Sequence, residues 1–555
     1  MQKAILVIDI GMTNKKVAVY DEKLNLKELT YKSFEPILVQ DPLTKNQIPS
    51  YDLESIKNYF AQEIKTFATK YQIEAISVST HGATAVCIDK EGNQTVPCVF
   101  YTYDPDEKSA ENSIKKSTEN SENSIKKSAE FQKEFYKLCG NPKTLQKETL
   151  TPRLSALINL AKGIFFAKTH FPKLFEKTQT ILNFPQYWTY LLTGKKLYEQ
   201  TFLACHTYLL NHQTNEWSNL AQKLQIQDKL PQDFVPTCSS AGKVLPQVAK
   251  KLGLSENVIV AAGIHDSNAS LLPYLLKSAN EDFILNSTGS WCVLLHPLKK
   301  DEKAFCSSDE IGKAVFFNKS ALNQPVKTSI FLGGIELDFY VKLFKFVNQK
   351  NEFPSSTMQE IQKILSEKNV FILPESVVES KGEKNFGIVE NNKFYSKNQL
   401  SKILQSKKSS ESQKLQEIQE IPLVLKDEKK FFATLVLSLA IQTESSLNQL
   451  GIKKGTSVFT EGGFRKNLLY NTVLASIFPE NDFYLTNIQE ATSLGAAITA
   501  ILAEKKSSLK ELSKYVLIEK TKILPEKISS SDYEEYKKLM IKQTCHPELD
   551  SGAVD

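Results

Sequence analysis

Asp9 stands inside ILVIDIGMTNKK, at the end of an apolar strand and just before a turn built from Gly, Thr and Asn. An ionised carboxylate buried there without a partner would cost several kcal/mol, so it requires one. Three partners are open: the turn it could cap, a lysine at 15 or 16, or a magnesium ion accompanying nucleotide phosphates and held through one carboxylate and waters. The turn, GMTN at 11–14, recurs in kind as STGS at 287–290. Glycine allows backbone N–H groups to converge and the Thr and Ser hydroxyls add donors, which together make a concave anion site suited to phosphate. Either turn alone is a plain hairpin; the pairing of the two points to phosphate. The sequence contains neither GxxxxGK[ST] nor GxGxxG, which excludes a P-loop and gives no support to a dinucleotide fold.

Asp266 lies in AAGIHDSNAS, after a buried strand and at a helix start. It reads either as an N-cap or as a general base taking a proton from a substrate hydroxyl, with small neighbours leaving room for a ligand. His265 beside it reads as structural. EGGFRKN at 461–467 follows a strand and opens a helix. Its glycines permit close approach to a flat ligand, and Asn467 offers an amide suited to an adenine or ribose edge. Arg465 either pairs with a phosphate or is exposed. EATSLGAA at 490–497 is a small-residue helix that suits packing more than binding. In THGA at 80–83, His81 is either satisfied structurally or donates to a sugar hydroxyl in a polyol pocket.

The elements that must position these residues follow from periodicity. AILVIDI and KVAVYD predict a hairpin, LKELTYKSF a third strand, LESIKNYFAQEIKTFATKY a helix and EAISVST a buried strand, an order that indicates a layered α/β domain. Residues 151–225 read as helical, with one helix ending at Gly194. NVIVAAGIHDSNASLLPYLL predicts strand, turn and helix; FILNSTGSWCVLLH predicts two strands around a turn like the first. The helix from Glu428 to Leu450 is expected to stop at Gly451, and SVFTEGGFRKNLLYNTVLASIF reads as strand, glycine turn and helix. Two halves therefore emerge, each opening on a strand-turn-strand. ENSIKKS at 111–117 and 122–128 forms an eleven-residue repeat with one Ile per period, too little apolar surface to hold a helix on a core; residues 106–130 read as a solvated insertion. Residues 396–420 are a second polar stretch, and after about 505 the pattern weakens toward a loose HPELDSGAVD tail.

The 555 residues allow two or more domains, and the net charge of +6 is spread among both signs with only Arg153 and Arg465 as arginines. No basic stripe suited to nucleic acid is implied. AILVI resembles the start of a signal peptide, but Asp9 interrupts it, and no run approaches the roughly 18 apolar residues of a membrane span. The eight cysteines show no CxxC pair and no histidine at metal spacing, which argues against zinc or a disulfide framework and for a reducing cytoplasm.

Taken in order from about residue 4 to 503, the motifs resemble the FGGY carbohydrate kinase family of the actin and sugar-kinase superfamily. DIGMTNKK is similar to its first phosphate motif, STHGATAVCIDKEGN to its sugar loop, AAGIHDSNAS to its catalytic-base motif, NSTGSW to its second phosphate motif, and TEGGFRKNLL with EATSLGAAITA to its adenosine motif. The resemblance implies two ribonuclease-H-like (actin-like ATPase) α/β domains around a central cleft, here 1–262 and 263–505, with 506–555 as a variable tail. It implies ATP and Mg2+ as cofactors, with Asp9 facing the metal and the transferring phosphoryl, and Thr13, Asn14 and Lys16 near the phosphates. Thr288 and Gly289 would hold phosphates, and Gly463 and Asn467 the adenosine. Asp266 would be the base, and Thr80, His81, Gly82 and Asp104 would line the sugar pocket. YTYDPDEK departs from the family in having no Arg after Asp104, and positions 15 and 16 are both Lys where Ser and Arg are frequent. The implied activity is ATP-dependent phosphorylation of a ketose of the rhamnulose, fuculose or xylulose type at a primary hydroxyl; a kinase of another polyol such as glycerol, or a sugar sensor without turnover, are the alternatives. The expected partners are sugar and ATP, without nucleic acid or membrane, and a homodimer is left open.

Overall fold

The computed structural model describes residues 1–106, 131–278, 281–377, 386–405 and 421–545. The ENSIKKS repeats, residues 406–420 of the second polar stretch and HPELDSGAVD lie outside the described residues. The chain forms two compact units. One comprises Met1–Asn280, Pro297–Thr328 and Ile488–Ile518; the other comprises Glu281–His296, Ser329–Asn487 and Glu519–Asp555.

In the first unit the apolar strand Gln2–Ile10 pairs antiparallel with Asn14–Tyr20, which pairs antiparallel with Leu26–Ser33. On its other side it pairs parallel with Tyr71–Thr80, which pairs parallel with Ile259–Ala261 and Ile264–His265. Ser240–Lys243 closes that edge antiparallel. Period-two alternation then sorts the central strand. Ala4, Leu6, Ile8 and Ile10 pack with Ile56 and Phe60 of the helix Leu53–Ala68 and Trp188 of Phe184–Thr193. Ile5 and Val7 pack on the opposite face with Ala269 and Leu272 of the helix Asp266–Lys277 and Leu494, Ala497 and Ile498 of Ala491–Ala503. Those two helices lie so close that a Cβ on Gly495 would fall 1.8 Å from the Ala269 carbonyl oxygen, a contact that only glycine permits.

The second unit repeats the same series of pairings. Phe283–Thr288 is antiparallel to Cys292–Pro297 and parallel to Ser457–Gly462, which is parallel to Asp482–Asn487. Glu519–Ile523 closes the edge antiparallel. The 22-residue helix Glu428–Gln449 is buried along most of its length, from Phe431 to Leu447, and Gly451 follows it with φ +78°, the left-handed stop expected of it. The helix Gly333–Asn348 abuts the STGS turn: a Cβ on Gly334 would lie 1.9 Å from the Gly289 carbonyl oxygen. Glu336, in the first turn of that helix, is buried and accepts from the Glu375 N–H and from Gln442 Nε2, each at 2.8 Å.

The units differ from the expected 1–262 and 263–505 division. Ile264–His265 adds to the first sheet, and the helix it leads into packs on Gly495, so Asp266 belongs to the first unit together with residues 488–518. The segment expected to be a variable tail from 506 contributes an edge strand and the helix Ser530–Cys545 to the second unit. There Tyr533 donates to Glu444 at 2.7 Å and Tyr536 to the Val370 carbonyl at 2.9 Å. Its charged sequence hid an amphipathic face that needs a partner surface to be recognised.

Gly495→Ala should lower stability by about 3 kcal/mol, the upper part of the overpacking range, because the obstructing atom is backbone and cannot turn away; urea unfolding measures it. Burial pushes the Glu336 carboxyl up to about 8 from its ordinary 4.5, against hydrogen bonds from Gln442 and Glu375 that lower it. The folded chain therefore holds a proton that the unfolded chain releases between these values, and stability falls as pH rises through that window, by about 1.4 kcal/mol per unit. Glu336→Gln should remove that slope, so the difference between wild-type and variant stability should change across the window and flatten above it.

Candidate active site

The site of the first unit forms where parallel strands end. Register sets Asp9 beside Ser79, and Ile10 and His265 on either side of Thr80, so the carboxyl ends of three strands and the turns after them share one edge, the place where open α/β sheets bind ligands. Asp9 is in phase with Ile5 and Val7 and so faces the two close-packed helices. Both begin there: Asp266 is the first residue of one, and Glu490 precedes the other in the left-handed conformation at φ 53°. The positive ends of both helix dipoles thus lie near a carboxylate or phosphate at this edge.

Asp9 is 5% exposed; its Oδ2 accepts from Ser493 Oγ at 3.4 Å and lies 3.9 Å from Lys16 Nζ. Lys16 in turn bonds Glu490 at 2.5 Å. Burial pushes the Asp9 carboxyl up to about 7; Lys16 pulls it down, while the charges of Asp266 and Glu490 push it further up. Two carboxylates, Asp9 and Glu490, therefore share one ammonium while the charge of a third, Asp266, acts on Asp9. That excess of negative charge is the condition a divalent cation relieves, so the residues fit the magnesium that the sequence implies at Asp9. Alternation separates the two lysines: Lys15 is buried on the other face, where its Nζ donates to the Gly11 carbonyl at 3.1 Å and the Met12 carbonyl at 2.8 Å and sits over the Tyr51 ring. It braces the turn from beneath. Thr13 is exposed at the turn tip, and Asn14 accepts from Ser33 Oγ at 2.8 Å while its carbonyl accepts from the Gly11 N–H at 3.0 Å.

Asp266 is not the N-cap of its helix; His265 holds that position. The Asp266 Oδ1 accepts from the Ser267 N–H at 2.6 Å and lies 3.3 Å from His265 Nε2. Burial raises its carboxyl to about 6 while the Ser267 bonds lower it. Burial also holds His265 neutral, down to about 3. With Asn268 Nδ2 3.3 Å from its Nδ1, His265 is left with Nε2–H to donate to Asp266, which orients that carboxylate.

The sugar-loop residues are placed next to this edge with part of their chemistry already used. His81 Nδ1 bonds the Gly82 carbonyl and its Nε2 meets the Tyr51 hydroxyl, both at 2.9 Å. Both nitrogens are thus engaged within the chain, as in the structural alternative of the two left open for His81. Thr80 is fully buried and donates to the His81 carbonyl at 2.9 Å. Gly82 leaves no room for a side chain: a Cβ there would meet His265 Nε2 at 3.0 Å and His206 Nε2 at 3.2 Å. Asp104 closes its own loop by accepting from the Asp106 N–H at 2.9 Å. Glu490, Ser493 and His206 escaped the reading of the sequence, and His265 was read as structural. Only the composition of EATSLGAA pointed near the first two, and that pattern signals packing.

In the second unit the parallel register sets Thr288 beside Gly462. Thr288 Oγ1 donates to the Glu461 carbonyl and accepts from the Phe464 N–H at 2.9 Å. Its hydroxyl thus ties two turns together, while Gly289 and Gly463 stay exposed. Asn467 caps the helix Leu468–Ile477 through Oδ1, at 3.1 Å from the Tyr470 N–H, and its Nδ2 is buried with no partner among the described residues. EATSLGAAITA, grouped above with the adenosine motif, belongs to the first unit and lies beneath Asp9, while Asn467 belongs to the second unit. No helix among the described residues is long and apolar enough to cross a membrane.

A rhamnulokinase of Oceanobacillus iheyensis is 24% identical over 299 residues, 53% of this chain and 56% of the relative. A xylulose kinase of Bacillus subtilis is 28% identical over 183 residues, 33% of this chain and 35% of the relative. The chain thus aligns with about half, or less, of the length of these curated relatives. The crystal structure of ligand-bound xylulose kinase from Lactobacillus acidophilus superposes with a TM-score of 0.70 at 15% identity, covering 98% of this chain and 97% of that one. Glycerol kinase of Plasmodium falciparum with ADP does so at 0.67 and 16%, covering 98% and 99%; at these identities the likeness shows the fold. Residues 4–139 and 126–273 match the description "FGGY family of carbohydrate kinases, N-terminal domain", two segments that overlap over residues 126–139. Since the matched residues run through Asp9, the Thr80–Gly82 loop and Asp266, the chain belongs to the FGGY family of carbohydrate kinases.

Proposed function

We infer that this chain is an ATP-dependent kinase that phosphorylates a ketose of the rhamnulose, fuculose or xylulose type at a primary hydroxyl. The observation that carries the reading is the pair of buried carboxylates, Asp9 and Asp266, at the ends of adjoining parallel strands, near enough that the charge of one raises the carboxyl of the other. Their surroundings differ as two roles require. Asp266 receives N–H donors from Ser267 and His265 and pairs with no lysine or arginine among the described residues, a carboxylate able to accept a hydroxyl proton. Asp9 shares Lys16 with Glu490 and stands on the strand that leads into the first phosphate turn.

Magnesium bound at Asp9 would offset phosphate charge, as it does in phosphoryl transfer generally. The remaining work belongs to the chain. Lys16 supplies positive charge, the helix beginning at Asp266 adds its dipole, and Gly11 to Asn14 present a backbone turn to phosphate. Asp266 Oδ takes the proton from the attacking hydroxyl, and His265 Nε2–H keeps the carboxylate turned toward it. Within the second unit, Gly289 and Gly463 leave backbone open to a nucleotide, and the unpartnered Asn467 amide suits an adenine or ribose acceptor. Rhamnulokinase and xylulose kinase among the relatives support a ketose acceptor; the glycerol kinase neighbour keeps smaller polyols on the panel.

ADP release measured over a panel of ketoses, with glycerol and gluconate included, should single out one ketose. Asp266→Asn should lower kcat for it by about 10²–10⁴ with little change in stability. Turnover unchanged in that variant would overturn the assignment of the base, and a preference for glycerol would overturn the ketose reading.

A further inference from the structure

Cys205 and His206 lie just past the short helix Gln200–Leu203, and His265 lies at the strand end before Asp266. Sixty residues separate them in the chain, yet one ligand atom from each lies within 4.8 Å of the others. We propose that Cys205, His206 and His265, completed by Asp266, form a site for a thiophilic divalent cation of the zinc class, and that its occupation blocks turnover. The inhibitory half rests on the kinase reading above; the metal site itself does not.

The spacing fits. A tetrahedral zinc ion sets a sulfur and a nitrogen ligand about 3.6 Å apart, and a nitrogen and an oxygen about 3.3 Å apart, from its bond lengths. Cys205 Sγ lies 3.6 Å from His265 Nε2, and Asp266 Oδ1 lies 3.3 Å from the same nitrogen. The lone pairs are also available. His206 Nδ1 bonds the Ile158 carbonyl at 2.9 Å, so its proton is there and Nε2 is bare. That bare nitrogen and His265 Nε2 converge over Gly82, at 3.2 and 3.0 Å from where a Cβ would stand; any side chain there would press on both nitrogens, and glycine spares them.

Asn268 supplies an independent pointer. It is fully buried, and its Oδ1 has no partner among the described residues. With the amide turned over, Oδ1 accepts from His265 Nδ1–H and Nε2 becomes a bare ligand atom, the outer-shell arrangement that fixes a metal-bound imidazole. Burial keeps both histidines neutral, each down to about 3, and keeps the Cys205 thiol protonated. On binding, the S–H bond is replaced by a metal–thiolate bond and one proton leaves to solvent. His265 then no longer donates to Asp266, and Asp266 is itself drawn onto the metal, which removes the proposed base from the sugar hydroxyl.

Cobalt(II) added to the full chain is the probe. It should give the intense visible bands of tetrahedral cobalt and a thiolate-to-cobalt charge-transfer band, both displaced by zinc. Cys205→Ser should abolish the charge-transfer band, and His206→Gln should weaken binding beyond the roughly 10–100-fold that loss of an outer partner costs. Circular dichroism establishes that each variant is folded, and His206→Gln, at a half-buried position, carries the test if Cys205→Ser fails to fold. Absence of the charge-transfer band in the wild type, or its persistence in Cys205→Ser, overturns the site. Zinc should suppress ADP release by the wild type and spare Cys205→Ser; equal suppression of both overturns the inhibitory half. Should no acceptor be turned over at all, the kinase reading fails while the cobalt spectrum still decides the metal site.

Discussion

A carboxylate at the end of a central strand has to be held in a place where water cannot solvate it, and much of the first unit is arranged around that requirement. Alternation along Gln2–Ile10 turns Asp9 toward the face covered by Asp266–Lys277 and Ala491–Ala503. Both helices start at the level of Asp9, so their N-terminal dipoles, Ser493 and the Lys16–Glu490 pair meet it together. A parallel sheet makes this possible, because its strands deliver their ends and their helices' beginnings to the same edge. The result is a buried acid raised to about 7 by desolvation and by its acidic neighbours, poised to accept a cation or a phosphate-bound metal.

The closeness of the two helices is the second constraint, and it follows from the first. Their beginnings reach Asp9 together only because Gly495 has no side chain to hold them apart against the Ala269 backbone. The second unit uses the same device at Gly334, which lets the Gly333–Asn348 helix abut the STGS turn. In both units a hairpin, two parallel strands and an antiparallel edge recur in the same order, so each turn at a strand end is held by the same framework without a repeat in the sequence.

Much of the polar chemistry that looks available in the sequence is spent on holding these turns. Lys15 braces the first turn, Thr288 ties the STGS turn to Glu461 and Phe464, and His81 is bonded through both nitrogens. What remains for a ligand is narrower: Asp9, Asp266, Lys16, the exposed glycines, the Asn467 amide and the nitrogens over Gly82. Buried hydroxyl and imidazole groups must be hydrogen-bonded somewhere, and residue type alone does not tell which of them the fold itself engages.

Period-two apolar runs, the Gly-rich turns, the helix-stop glycines and the order of six short motifs were local properties, so the strands, both turn sites, Asp9, Asp266 and the family resemblance were legible along the chain. Three things were not. The return of residues 488–518 to the first unit depends on a close helix contact that a glycine in a small-residue stretch permits but does not announce. The strand and helix beyond residue 518 show their apolar face only against a partner surface. Cys205, His206 and His265 have no spacing to betray them, because a fold, and not a helix turn, brings residue 265 beside 205. The sequence determined which residues are strand, turn and acid; the tertiary structure decided which of them share a face, since register, helix approach and burial are set by contacts between segments far apart in the chain.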